Sequence, residues 1–251
     1  ICDILIVTLM LISVYYFINS IYIEKQNREI QAIEKEQTEV MNKVANDKKV
    51  ATQISTKKDY SKTKTNSLKD LDYYKNYYSN NDIVGTLKIS GTKINTLLVQ
   101  GSDNEYYLNH TISKKKSAVG SIYVDYRTNL EAKQINIYGH NSDIYDLPFK
   151  KLLNYLDRDF FLNNRKITLE TLNGTKTFEI FSVKVITDDI EHTKILFDND
   201  LDFDEHIKKL RSNSLYDSLD EVSGTDQILV LQTCLLNNTL GKYLIIIGRK
   251  V

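Results

Sequence analysis

The chain has little cysteine, with 2 Cys in 251 residues, and so no disulfide framework to organise it. Cys2 lies in an apolar N-terminal run and Cys234 ends the stretch "QILVLQTC", so no bridge is expected and Cys234 is read as a free thiol. Neither sign of charge dominates, 33 basic residues against 33 acidic, which removes the global field that would draw the protein to nucleic acid. The lysine runs at 114–116, 48–49 and 57–58 are read as solvated surface. Tryptophan is absent and proline occurs once, as Pro148, and neither fact points to a chemistry. There is no CxxC, no HxxxH and no ligand-type neighbour at metal spacing from Cys234, so a metal site is not expected. The local signature of papain-type cysteines, internal repeats and low-complexity tracts are also missing.

The first positive signal is "ILIVTLMLISVYYFINSIYI", residues 4–23. About 20 mostly apolar residues is the length a helix needs to cross a bilayer core. No small-x-small cleavage site follows in "FINSIYIEKQNREI", so an uncleaved anchor is favoured over a signal peptide. Residues 1–24 are assigned to the anchor, with the bulk of the chain outside the membrane and extracytoplasmic. Residues 25–66 form a polar helical stalk and linker. In the stalk Ile23, Ile30, Ile33, Val40 and Val44 make a narrow helical stripe. Gln26 and Gln37 interrupt the seam a coiled coil would need. "TKKDYSKTKTNS" reads as the linker and "LKDLDYYKNYYSNN" as a further helix.

Residues 67–251 form the main domain. From Asp82 onward "IVGTLKI", "TKINTLLV", "VGSIYVD", "QINIYGH", "KITLETL", "TKTFEIFSVKVI", "QILVLQTC" and "KYLIIIGRKV" are short β-prone runs broken by turn residues. "ISGT" and "LNGT" are read as tight turns, the second with an Asn-Gly pair suited to a type I′ hairpin. Two helical stretches interrupt the strands. One starts at Pro148, a favoured first-turn residue, and the other, "DFDEHIKKLRSN", has acids early and bases late. The expected fold is mainly β, a closed barrel of seven or eight strands with a few helices, since closure removes exposed strand edges.

A cysteine attacks as its thiolate and needs a base or cation beside it and access to solvent. Cys234 follows a β run and precedes "LLNNTLGK", which reads as a loop; a strand end is a firm mount for a nucleophile. A buried cysteine acting as a small apolar residue is the competing reading. Of the 4 histidines, His140 ends another strand in "INIYGHNSD", whereas His110, His192 and His206 sit in polar settings and are read as surface residues. The last strand offers two cations. Strand alternation puts Lys242 on one face with Leu244 and Ile246 and Arg249 on the other, unless a bulge in "LIIIG" turns Arg249 round.

"LQTC" near the C-terminus, "YGHN" earlier and a basic residue on the strand after the cysteine resemble the sortases, membrane-anchored cysteine transpeptidases of Gram-positive bacteria. "YYLNHTISKKKSAVGSIYVDYRTN" and a helix over residues 202–213, between the sixth and seventh strands, resemble class B. The resemblance covers roughly residues 68–251. It implies Cys234 as nucleophile, His140 as general acid and base, and Lys242 as the cation, with Arg249 the alternative. The family's arginine falls at Lys242 in this register, and lysine lacks the rigid two-pronged fork, so weaker transition-state stabilisation or a weakened relative is implied. Gln232 and Thr233 would line the substrate groove, with residues 187–202 as another wall. The implied reaction cuts a C-terminal sorting motif after threonine and joins a secreted protein to a peptidoglycan-precursor amine, without metal or organic cofactor. A membrane-anchored cysteine peptidase and a peptide-binding barrel without turnover remain as alternatives.

Overall fold

The structure, a computed structural model, describes residues 2–54, 61–216, 218, 220–236 and 242–251. Eight strands close into one barrel: β1 (Ile83–Ile89), β2 (Asn95–Val99), β3 (Tyr123–Val124), β4 (Gln134–Tyr138), β5 (Lys166–Thr171), β6 (Gly174–Ile186), β7 (Ile228–Cys234) and β8 (Tyr243–Lys250). Their order around the barrel is β1-β2-β3-β4-β7-β8-β6-β5. Each β-prone run of the sequence supplies one of them. Most neighbours are antiparallel, but β4 and β7 pair in parallel, so the carboxyl ends of these two strands lie side by side.

Alternation sorts the side chains. Ile135 and Ile137 of β4, Leu229 and Leu231 of β7, and Leu244 and Ile246 of β8 point inward into one apolar core. The outward residues Ile228, Val230, Ile245 and Ile247 are buried too, under Phe203, Ile207 and Leu210 of the helix Asp200–Arg211. β7 and β8 therefore read as nearly continuous apolar runs because both their faces are covered. That helix begins where Asn199 accepts hydrogen bonds from the amides of Leu201 and Asp202.

Four α-helices are described: α1 (Cys2–Ile54), α2 (Ser61–Tyr78), α3 (Arg158–Asn163) and α4 (Asp200–Arg211), with a 3₁₀ stretch over Pro148–Leu156. Residues 5–22 of α1 are largely exposed and apolar, and among the described residues α1 is the helix long and apolar enough to cross a membrane. Beyond them α1 is no free stalk. Ile30, Gln37, Val40, Met41 and Val44 are buried against the rest of the molecule, and the Thr96 hydroxyl on β2 donates to Gln37 Oε1 at 2.9 Å. Gln37, which breaks a coiled-coil seam, is a fastening between helix and barrel. The expected linker falls partly on residues 55–60, outside the described residues; its remainder, from Ser61, is helical in α2.

The β5–β6 hairpin departs from the expected turn. Thr171 pairs with Gly174, so the two-residue loop is Leu172-Asn173 and Gly174, at φ 114°, opens β6. Asn173 has no positive φ, which a type I′ turn would require of it.

Candidate active site

Because β4 and β7 run in parallel with Tyr138 opposite Gln232, two further residues on each strand bring His140 level with Cys234. The chain beyond β4 is tied down to keep that register. The Gly139 amide donates to the Gln232 carbonyl at 3.2 Å, the Thr233 hydroxyl to the Gly139 carbonyl at 2.9 Å, and Asn141 Nδ2 to the Cys234 carbonyl at 2.8 Å. Gly139 is needed there: a Cβ on it would stand 2.5 Å from the Phe149 ring.

His140 Nε2 donates to the Leu108 carbonyl at 2.8 Å, which leaves Nδ1 as the nitrogen that can take up a proton. Cys234 is half-buried and unbridged, and burial pushes its thiol pKa up. A thiol in that state needs a proton acceptor or a cation to become nucleophilic.

Cys234 faces outward with Gln232 on β7 and is paired with Tyr243 of β8. Lys242 precedes Tyr243, and its carbonyl accepts from the Leu235 amide at 2.7 Å. Its ammonium is 2.7 Å from Asp188 Oδ1, which pushes its pKa up. Both side chains are well exposed, and a pair of this kind exchanges readily with water. Arg249 is elsewhere. It pairs with Ile228, the opposite end of seven-residue β7 from Cys234 and about 20 Å away at the usual strand rise. The β7–β8 register runs without a shift, and the irregularity lies on β6 between Ile180 and Ser182, so no bulge turns Arg249 towards the thiol.

Of the two expected groove residues, Gln232 faces outward and its Oε1 accepts from His192 Nε2 at 2.7 Å. Thr233 faces the barrel interior, fully buried, and its hydroxyl serves the Gly139 tie. The outward face of β4 is polar and continues into Gln232 at the carboxyl end of β7, whose earlier outward residues Ile228 and Val230 lie under α4. Gln134 Nε2 donates to the carbonyls of His192 and Lys194 and to Asn136 Oδ1, and Asn136 Nδ2 donates to the His192 carbonyl at 2.9 Å. These bonds fasten the 3₁₀ turn Glu191–Thr193, between β6 and α4, over the outward face.

The reading of His192 and His206 as surface residues is corrected here. They are 5% and 1% exposed, His192 on Gln232 and His206 between Glu191 and Gln134. Each supplies a hydrogen bond to an otherwise buried polar group, and their polar sequence neighbours point to solvent. Sequence reasoning also missed a role for Asp125 and Arg127. Asp125 is fully buried, receives two bonds from the Arg127 guanidinium and one from the Tyr138 hydroxyl at 2.8 Å, and is held below the usual carboxylate range by those bonds against the effect of burial. Arg127 reaches on to the Thr193 carbonyl at 3.3 Å, so it joins the β3–β4 side to the Glu191–Thr193 turn. The signal was an acid and an arginine two apart at the end of a short strand.

No family model matches the chain. Sortase B of Listeria monocytogenes is 37% identical over 157 residues, 62% of this chain and 63% of that protein, so the match spans just under two thirds of the curated relative. Among solved structures, a mutant form of Clostridium perfringens sortase B superposes with a TM-score of 0.69 at 31% identity, covering 76% of this chain and 91% of that one. The Staphylococcus aureus sortase B–substrate complex gives 0.65 at 26% identity, over 73% of this chain and 85% of that one. With a relative of known structure 31% identical and covered over 91% of its length, the chain belongs to the sortase B family.

Proposed function

We propose that the chain is a membrane-anchored cysteine transpeptidase acting on proteins that carry a C-terminal sorting motif. The observation that carries this is the parallel β4–β7 register, which sets His140 and Cys234 at one level on a rigid barrel. His140 Nδ1 takes the Cys234 thiol proton, Sγ attacks the backbone carbonyl carbon of the motif threonine, the peptide bond breaks, and His140 passes that proton to the leaving amine. A thioacyl-enzyme results. An amine from a cell-wall precursor then attacks the thioester, His140 takes its proton, and the thiol is restored. Lys242, released from Asp188, is the cation for the oxyanion. The apolar part of α1 anchors the enzyme, with the barrel on the extracytoplasmic side.

The raised thiol pKa and the Lys242–Asp188 contact favour one second reading, a peptide-binding relative with weak turnover. One experiment separates the two. The full-length protein is incubated with a pool of sorting-motif peptides, beside Cys234→Ala, and read by intact mass spectrometry. A mass gain equal to a peptide cut after threonine, absent from Cys234→Ala, is the expected result. Bound but uncut peptides across the pool would overturn the transpeptidase in favour of the binder. Lys242→Ala should slow acylation by up to ~10²–10³-fold, the usual cost of losing an oxyanion donor. Arg249→Ala should leave acylation per folded molecule unchanged.

A further inference from the structure

α1 touches the barrel in a fixed order. Asn27 Nδ2 donates to the Ile144 carbonyl and Asn27 Oδ1 accepts from the Asp146 amide, both at 3.4 Å, in the loop that follows His140. Ile30, Ile33 and Glu34 come next and line a cleft together with His140 and Pro148. Gln37 then meets Thr96 of β2, and Met41 and Val44 lie beside Thr168 and Glu170 of β5. Glu170 adjoins the β5–β6 hairpin, which lies beyond the Arg249 end of the barrel, since Glu179 pairs with both Lys166 and Arg249. Along α1 the contacts therefore run from the catalytic end of the barrel to the opposite end, and the apolar run enters from the catalytic side.

We propose that the loop of residues 141–147 is a membrane-contact surface. α1 holds it in the lipid headgroup layer, with Ile144 seated in that layer, so that His140 and Cys234 open at the bilayer. The proposal rests on the anchor reading above and says which face of the barrel meets lipid.

Three observations carry it. The first is distance. Asn27 is four residues past Ile23, the last of the apolar run, which is roughly 6 Å along one continuous helix. A headgroup layer is about 5–8 Å thick on each side of the hydrocarbon core. Helical side chains lean towards the helix N-terminus, here the membrane side, so the loop bonded to Asn27 stands no higher than that. Val44, by the same rise, is roughly 30 Å from the run, and the hairpin end stands clear of lipid.

The second is the loop itself. Ser142 Oγ accepts from the amides of Ile144 at 3.1 Å and Tyr145 at 3.0 Å, and Asn141 Nδ2 holds the Cys234 carbonyl, so the loop is tied to the cysteine end of β7. Ile144 is left 54% exposed, and seating it among headgroups would take that apolar surface out of water. The third is charge. Residues 24–29 and 143–151 carry four basic and four acidic side chains, with Arg28 3.6 Å from Glu24 and Lys151 paired with Asp146. A balanced surface gains nothing from anionic lipid, so apolar burial carries the contact, and phosphatidylcholine is a sufficient partner.

The chain has no tryptophan, so single-tryptophan variants report without background. The full-length chain is placed in phosphatidylcholine nanodiscs, with and without lipid carrying a nitroxide on its headgroup, and tryptophan emission is read. Tyr22→Trp, at the end of the apolar run, reports the anchor, and Leu172→Trp, on the β5–β6 hairpin, reports the far end. The nitroxide should quench Ile144→Trp nearly as strongly as Tyr22→Trp and leave Leu172→Trp unchanged. A polar helical insert of seven residues between Ile23 and Glu24 would raise the barrel by roughly 10 Å and about two turns, keeping its face. It should abolish the quenching of Ile144→Trp, while acylation by a soluble peptide stays as before. An unquenched Ile144→Trp beside a quenched Tyr22→Trp would overturn the membrane contact and leave the anchor standing. An unquenched Tyr22→Trp would remove the anchor and the contact with it. Equal quenching of Ile144→Trp and Leu172→Trp, or quenching that survives the insert, also overturns the proposal, because the barrel would then meet lipid by a route other than α1.

Discussion

The inward face of β4 and β7 and the polar residues on their outward side come from the same strands and do opposite work. Inward, Ile135, Ile137, Leu229 and Leu231 meet only other apolar side chains. Outward, Gln134, Asn136 and Gln232 reach the segment between β6 and α4 through directed hydrogen bonds, and Cys234 ends the row. The inward face is non-directional and sets how tightly the barrel closes. The polar outward residues are directional and set where the Glu191–Thr193 turn stands relative to the thiol, while outward Ile228 and Val230 of β7 pack under α4. On β4 stability and geometry are thereby divided between alternate residues of one strand.

Substitutions that touch one face should therefore leave the other's readout alone. Leu231→Ala should cost most, about 2–5 kcal/mol by chemical denaturation, because a fully enclosed side chain leaves a cavity. Acylation per folded molecule should hardly change, and a large fall would mean that the two faces are coupled. Gly139→Ala should cost about 1–3 kcal/mol through the clash with Phe149, and it should also slow acylation several-fold, since the adjacent His140 moves. A normal rate in this variant would show that the histidine is not placed by its strand end. Gln134→Leu should cost about 1–3 kcal/mol by leaving the Lys194 carbonyl and His206 without their partner. Proteolysis between β6 and α4 should become faster, which Leu231→Ala should not do selectively.

The smallest effect is a pH dependence. Burial holds the His192 imidazole below its ordinary pKa, so the folded protein keeps it neutral where the unfolded chain takes a proton. The stability tied to this histidine is then complete above about pH 6.5 and falls as the pH drops below it. Melting temperatures at pH 7.5 and 5.5 should differ less in His192→Gln than in wild type; an equal difference would place the pH-sensitive group elsewhere.

Strand positions were legible because each alternating or β-branched run has to bury at least one face, and β1, β5, β6, β7 and β8 lie within a residue of the expected stretches. β3 shrank from the stretch "VGSIYVD" to Tyr123–Val124, because Gly120 at φ 58° turns the chain and the amides around it bond within the loop. Cys234 and His140 stood out as reactive residue types at strand ends. The buried His192 and His206 did not, because their burial comes from a segment that folds over β4 from a distance of about 60–70 positions. For the same reason alternation could separate Lys242 from Arg249 by face, but the distance between Arg249 and the thiol needed the β7–β8 register.

Sequence by itself determined the local choices: an apolar run long enough to span a bilayer, seven or eight strands, a thiol at one strand end and a histidine at another. Those follow from side-chain type and periodicity, which act over a few residues. Tertiary structure alone decided that β4 and β7 pair in parallel, that α1 lies against the barrel beside His140, that Lys242 rests on Asp188, and that Glu34 faces a cleft. Each of these joins segments far apart in the chain, and such contacts are fixed by the closing of the whole barrel and the shared burial it brings.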